Sequence, residues 1–209
     1  LSEKLNLKDQ PNVLFYHRMV ETDKAGYLVR QYFYSNLSDR ISTRPFFTHL
    51  GKKWIAYQIL QGVHQMHKAG VYHGDLKPEN VVLTGWDWVF LTDLSPFKPT
   101  TLPADDPRDF SYYFDNRTCF LAPERFTDSH VVKSKIVDEE KPPTVTESMD
   151  IFSVGCILAQ LFLDGVSLFD LSQLLAYRKG ETDHLNSHLQ RIEDEKIREL
   201  IAHMLQLDP

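Results

Sequence analysis

Residues 50–93 impose an order that any fold of this chain must satisfy: a helix, a polar loop and a hairpin follow one another with no linker between them. In "LGKKWIAYQILQGVHQMHKAG", Ile55, Ile59, Val63 and Met66 recur at spacings of 4, 4 and 3, which mark one face of a helix, and Gly70 stops it. The next ten residues, "VYHGDLKPEN", concentrate a histidine, an aspartate, a lysine and an asparagine around Gly74. Two short apolar runs, "VVL" (81–83) and "VFL" (89–91), then flank the turn "TGWDW" and predict a hairpin. A hairpin returns the chain, so Asn80 and Asp93, 13 positions apart, are expected at the same end of it.

These residue types suit phosphoryl transfer. That reaction needs a group beside the acceptor hydroxyl, a cation for the developing charge, and oxygen ligands for a magnesium ion on the nucleotide phosphates. Asp75 can orient or deprotonate the hydroxyl, Lys77 can neutralise the transferring group, and Asn80 with Asp93 can ligate Mg2+. Alone, D-x-K-x-x-N equally describes a solvated, capped turn. Two further signals change the balance: "APE" begins at Ala122, 29 positions after Asp93, and "DIFSVGCIL" opens an apolar helix with Asp150, where a carboxylate can accept hydrogen bonds from loop backbone.

In this order, "HGDLKPEN", "DLS", "APE" and "DIFSVG" resemble the eukaryotic protein-kinase elements H-R-D-x-K-x-x-N, D-F-G, A-P-E and D-x-x-S-x-G, over roughly residues 11–209. The wider stretches "VYHGDLKPENVVLTGWDWVFLTDLSPFKP", "RTCFLAPERF" and "GVSLFDLSQLLAYR" resemble the protein-kinase-like regulatory subunits of class III phosphatidylinositol 3-kinase complexes, the vacuolar protein sorting kinases. The resemblance implies an α+β protein-kinase-like fold, mainly the helical C-lobe, with residues 1–34 a remnant of the N-lobe and hinge and residues 35–209 the C-lobe. A polar insertion is expected at about 127–148. It also implies a serine/threonine kinase using Mg2+ and ATP, with Asp75 and Lys77 catalytic and Asn80 and Asp93 holding metal and nucleotide. The implied partners are the class III lipid kinase's catalytic subunit and its autophagy and sorting adaptor subunits. The implied place is cytoplasmic, peripheral on endosomal or autophagic membranes through the larger complex.

The chain departs from a working kinase in several places. No G-x-G-x-x-G or V-A-I-K lysine is visible, Leu1 is not an initiator methionine, and both ends are expected to be cuts in something larger, so the nucleotide cradle is expected to be incomplete. Glu3 is a candidate for the helix glutamate that would pair with that lysine. Gly74 stands where many kinases carry an arginine that grips an activation-loop phosphate, and Leu94-Ser95 replaces Phe-Gly, so the loop is expected to stay in one state without phosphorylation. Thr118 lies four positions before Ala122, one closer than the usual threonine of the substrate-docking segment. Glu124 normally pairs with an arginine farther along than Pro209. Aligned on a kinase hinge, "YLVRQYF" puts Arg30 at the back of the base pocket, followed by Gln31 and Phe33 as base contacts. A guanidinium there would suit guanine, making GTP an alternative donor, or Arg30 pairs with a nearby carboxylate.

Composition closes off other classes. A net charge of −6, a pI near 5.8 and the lack of a basic run argue against nucleic acid as a partner. Two cysteines make no disulfide framework or metal clip, and the apolar run Ile151–Leu163 is 13 residues, short of the ~20 that a spanning helix needs. The His64/His67 and His184/His188 pairs have helical spacing but no completing ligands, and Trp86 and Trp88 read as packing residues unless one is exposed, in which case it could anchor a partner. Four prolines between 96 and 107 are expected to block both helix and strand. Two alternatives stay open: a pseudokinase scaffold that regulates the lipid kinase without catalysis, and a small-molecule phosphotransferase, whose family shares "HGDLxxxN" but generally lacks "APE" and "DIFSVG".

Overall fold

The computed structural model describes residues 5, 8–104, 117–127, 144–181 and 184–207, in two units. One comprises residues 1–71 and 78–94, the other residues 72–77 and 95–209. Glu3 and most of the expected insertion, residues 128–143, lie outside the described residues.

The first unit is built on the predicted helix. Helix α2 (His49–Lys68) follows a short α1 (Leu37–Ile41). It starts where the Thr48 hydroxyl accepts the Gly51 N–H at 3.1 Å, and it ends at Ala69, with Gly70 beyond it. Its apolar face is the core of this unit: Ile55, Ile59, Val63 and Met66 are all at most 2% exposed, and each such burial contributes about 1.5–3 kcal/mol. A three-stranded antiparallel sheet packs there in the order β3 (Ser35–Asn36), β4 (Val81–Leu83), β5 (Val89–Leu91). Buried polar side chains fix its register against α2. Gln58 accepts the Val89 N–H at 3.0 Å and donates to the Asp87 carbonyl at 2.9 Å. Asn12 donates its side-chain amide to the Val89 carbonyl at 3.0 Å and its backbone N–H to Gln65 Oε1 at 3.2 Å. Helix and hairpin also meet closely at Gly62, where a Cβ would lie 2.8 Å from Leu91 Cδ1 and 3.3 Å from Asn12 Cβ. A separate antiparallel hairpin pairs β1 (Arg18–Glu21) with β2 (Gly26–Val29). Val13 bridges to Leu91, with the Leu14 N–H on the Leu91 carbonyl at 2.8 Å.

The second unit centres on α3 (Glu147–Phe162), the predicted apolar helix. Val154, Ile157, Leu158, Ala159 and Leu161 are fully buried, as expected of a helix apolar all round. Around it stand α4 (Leu171–Arg178), α5 (His184–Leu189) and α6 (Glu195–Met204). Asp170 and Gln173 form a reciprocal cap at the start of α4, at 2.7 and 2.8 Å. Phe169 stacks between Phe152 and Tyr177, with ring centroids 6.2 and 5.2 Å away. The proline-rich segment corrects one expectation: β6 (Leu102–Pro103) pairs in parallel with β7 (Phe126–Thr127). Pro103 is tolerated because the next donor is the Ala104 N–H, which reaches the Thr127 carbonyl at 2.7 Å.

Candidate active site

Within the second unit the loop that carries Asp75 is clamped on three sides. Asp150, 1% exposed at the start of α3, accepts the His73 N–H at 2.7 Å and the Gly74 N–H at 2.9 Å, one on each carboxylate oxygen. This is the backbone-accepting role expected of it. Buried His73 accepts the Asp75 N–H at Nδ1, 3.3 Å away, so its role is to shape the loop. The Ser95 N–H closes the opposite edge on the His73 carbonyl at 2.7 Å.

Gly74 is required here for backbone reasons. Its φ is +77°, and a Cβ would sit 2.7 Å from the Ser95 carbonyl oxygen, 3.0 Å from Val145 Cγ2 and 3.1 Å from Pro96 Cα. The segment after Asp93 fills the space that a side chain at 74 would need. Arg125, immediately after "APE" and 3% exposed, ties these strands of chain together. It donates to the Gly74 carbonyl at 3.0 Å and to the Pro99 carbonyl. Burial lowers its pKa, and the charges of Asp75 and Asp150 work against that shift.

Two lysines meet the Asp75 carboxylate on the same oxygen, Oδ2: Lys98 at 2.6 Å and Lys77 at 3.5 Å. The Asp75 and Lys98 side chains are 9% and 14% exposed, so this ion pair is largely shielded from solvent. Sequence reasoning identified Lys77 and missed Lys98 and Arg125. The one signal for Arg125 was its place after "APE", and nothing periodic marks Lys98 between its prolines.

In the first unit the hairpin does what its spacing implied. Val81 pairs with Leu91, and the Thr92 N–H reaches the Asn80 carbonyl at 3.0 Å, so Asn80 and Asp93 stand at the same end of the β4–β5 pair. Asp93 has φ +59°. Its carboxylate takes Arg30 on Oδ2 at 3.1 Å and the Tyr16 hydroxyl on Oδ1 at 3.2 Å. Of the two readings of Arg30, a partner carboxylate is therefore the one observed. Burial, and then the Asp93 charge, raise the Tyr16 pKa, keeping its proton on the hydrogen bond. Gln31 is exposed and Phe33 half-buried, its ring 5.4 Å from that of Phe90. The oxygen donors of Asn80 and Asp93 suit Mg2+, a hard cation commonly held by one or two protein oxygens together with substrate phosphates. Among the described residues no cluster of three or more His, Cys, Asp or Glu offers a metal cage. His184 and His188 instead face backbone carbonyls, of Leu168 at 2.8 Å and of His184 at 3.1 Å.

Glu124 lines a groove of about 480 Å³ in the second unit with Thr146, Phe152 and Met204. Its Oε1 is buried and makes no hydrogen bond among the described residues, and burial raises its pKa. Trp86 on the hairpin turn is 93% exposed, whereas Trp88 packs edge-on against Trp54 at 6.4 Å.

Residues 2–209 match the protein kinase domain family. The chain is 52% identical to the serine/threonine-protein kinase VPS15 of Arabidopsis thaliana over 96% of its own length, which is 13% of that protein. It is 48% identical to the probable serine/threonine-protein kinase vps15 of Dictyostelium discoideum, covering 100% of this chain and 10% of that one. Against the serine/threonine-protein kinase VPS15 of Saccharomyces cerevisiae the identity is 40%, over 100% of this chain and 14% of the relative. The chain thus spans a small fraction of the curated relatives it matches. It belongs to the protein kinase domain family, and within it to the kinase domains homologous to those of the VPS15 proteins.

Proposed function

We propose that this chain is the phosphotransfer domain of a serine/threonine protein kinase that works as the regulatory subunit of a class III phosphatidylinositol 3-kinase complex, in endosomal sorting and autophagy. The observation that carries the catalytic part is the setting of Asp75: a clamped loop, a carboxylate at its centre and Lys77 beside it. Asp75 orients a protein hydroxyl and takes its proton while the hydroxyl oxygen attacks the γ-phosphorus of ATP. The bond from that phosphorus to the bridging oxygen breaks, and its electron pair leaves with the nucleoside diphosphate. Lys77 offsets charge on the transferred group. Asn80 and Asp93 would hold Mg2+, which when bound neutralises charge on the nucleotide phosphates. With Arg30 engaged by Asp93, ATP is the donor we favour over GTP. The resemblance of the motif stretches to this family supports the assignment of lipid-kinase and adaptor subunits as partners. It equally supports a cytoplasmic location with membrane contact through the complex.

A second reading, a scaffold that regulates the lipid kinase without catalysis, is favoured by the same carboxylates being already engaged, Asp75 by Lys98 and Asp93 by Arg30. Asp75→Asn in the full-length protein separates the two. Phosphoryl transfer lost with complex assembly intact supports the kinase, and unchanged behaviour of both supports the scaffold.

A further inference from the structure

One oxygen of the Asp75 carboxylate, Oδ2, is already engaged by two lysines. Lys98 Nζ lies 2.6 Å from Oδ2, closer than Lys77 at 3.5 Å on the same oxygen. Lys98 is held in place by more than its charge. Its backbone N–H is bonded to the Ser95 carbonyl at 3.1 Å, the following Pro99 carbonyl accepts from buried Arg125, and Arg125 also grips the Gly74 carbonyl next to Asp75. The turn from Ser95 to Pro99 and the Asp75 loop are thus pinned to each other from both sides, and the lysine's short reach to the carboxylate follows. An ammonium at this distance from a shielded carboxylate is a strong competitor for it, since charge-assisted hydrogen bonds are about twice as strong as neutral ones.

We propose that Lys98 is a positioning residue that occupies Asp75 in the resting state, so that a serine or threonine hydroxyl binds only by displacing its ammonium. The proposal rests on the reading of Asp75 as the acceptor-side carboxylate. Lys98 raises the acceptor concentration needed for turnover and leaves the chemical step, in which the ammonium is already displaced, largely unchanged. A side chain that merely braced the loop would alter folding stability or both kinetic constants together.

The test uses the full-length protein with γ-labelled ATP, Mg2+ and myelin basic protein as the acceptor, in unaltered, Lys98→Met, Lys98→Arg and Asp75→Asn forms. Lys98→Met is expected to lower the acceptor KM about tenfold, the factor that ~1.4 kcal/mol of lost competition produces, with kcat within about twofold. Lys98→Arg, which keeps a cation at the site, is expected to retain the high KM. An unchanged or raised KM in Lys98→Met, with transfer still abolished by Asp75→Asn, overturns the role of Lys98 and leaves the kinase reading standing. No transfer by either the unaltered protein or Lys98→Met overturns both. If thermal unfolding shows that Lys98→Met is not folded, Lys98→Gln carries the same expectation and the same refutation.

Discussion

Putting a side chain back at position 74 should damage the fold before it can restore any kinase-like function. The perturbation is Gly74→Ala, the smallest step toward the arginine found there in many kinases. Two costs add. At φ +77° a non-glycine residue pays about 1–2 kcal/mol for the left-handed conformation. The new Cβ, 2.7 Å from a backbone carbonyl and 3.1 Å from a backbone Cα, must also force the 95–96 segment outward, an overpacking cost of about 1–3 kcal/mol. The sum, about 2–5 kcal/mol, corresponds to a fall in Tm of roughly 5–15 °C for a domain of this size. Thermal unfolding of the two forms at identical concentration measures it, with urea denaturation giving the free energy directly. A loss under about 0.5 kcal/mol, the ordinary range of a surface change, would refute the reasoning. It would mean that the loop is free to move away and that the missing arginine is a matter of lost charge alone.

The other expectations test the clamp and the core. Asp150→Ala strands two buried N–H donors, of His73 and Gly74, and should cost about 2–5 kcal/mol by urea denaturation. Asp150→Asn, which keeps one acceptor, should cost less. Burial pushes the Cys119 thiol up to about 12 from an ordinary 9.0, so at pH 8 its thiolate fraction is about a thousandfold below that of an exposed thiol. Buried Cys156 shifts the same way, and neither should react with DTNB in the folded protein. Because the shift is upward, the stability linked to Cys119 is complete below pH 9 and is lost as pH rises toward 12. Rapid labelling of the native protein at pH 8 would contradict this.

What could be read from the letters was whatever local periodicity or a short turn encodes. Helix α2 was legible because four residues of one face recur at helical spacing and Gly70 ends it. The β4–β5 pair was legible because two apolar triplets bracket a turn of fixed length, and that alone placed Asn80 and Asp93 together. Asp150 was legible as an acidic residue at the mouth of an apolar helix. Arg125 and Lys98 were not, because what defines them is a partner far along the chain: 51 residues separate Arg125 from Gly74, and no spacing rule reaches that distance. The sequence pointed to Gly74 as a lost charge, whereas its φ and its neighbours make it a backbone requirement. Pro103 misled because proline forbids only its own N–H. A two-residue parallel bridge can draw its donor from Ala104.

The contact at Gly62 ties Asp93 to a distant part of the chain. The middle of α2 touches Leu91 with no room for even a methyl group, and Asp93 is two residues beyond Leu91. The backbone height of that aspartate is therefore inherited from a helix more than 25 positions upstream. A fault in the helix's smooth face would surface as a misplaced carboxylate, and the defect would be mistaken for one of chemistry.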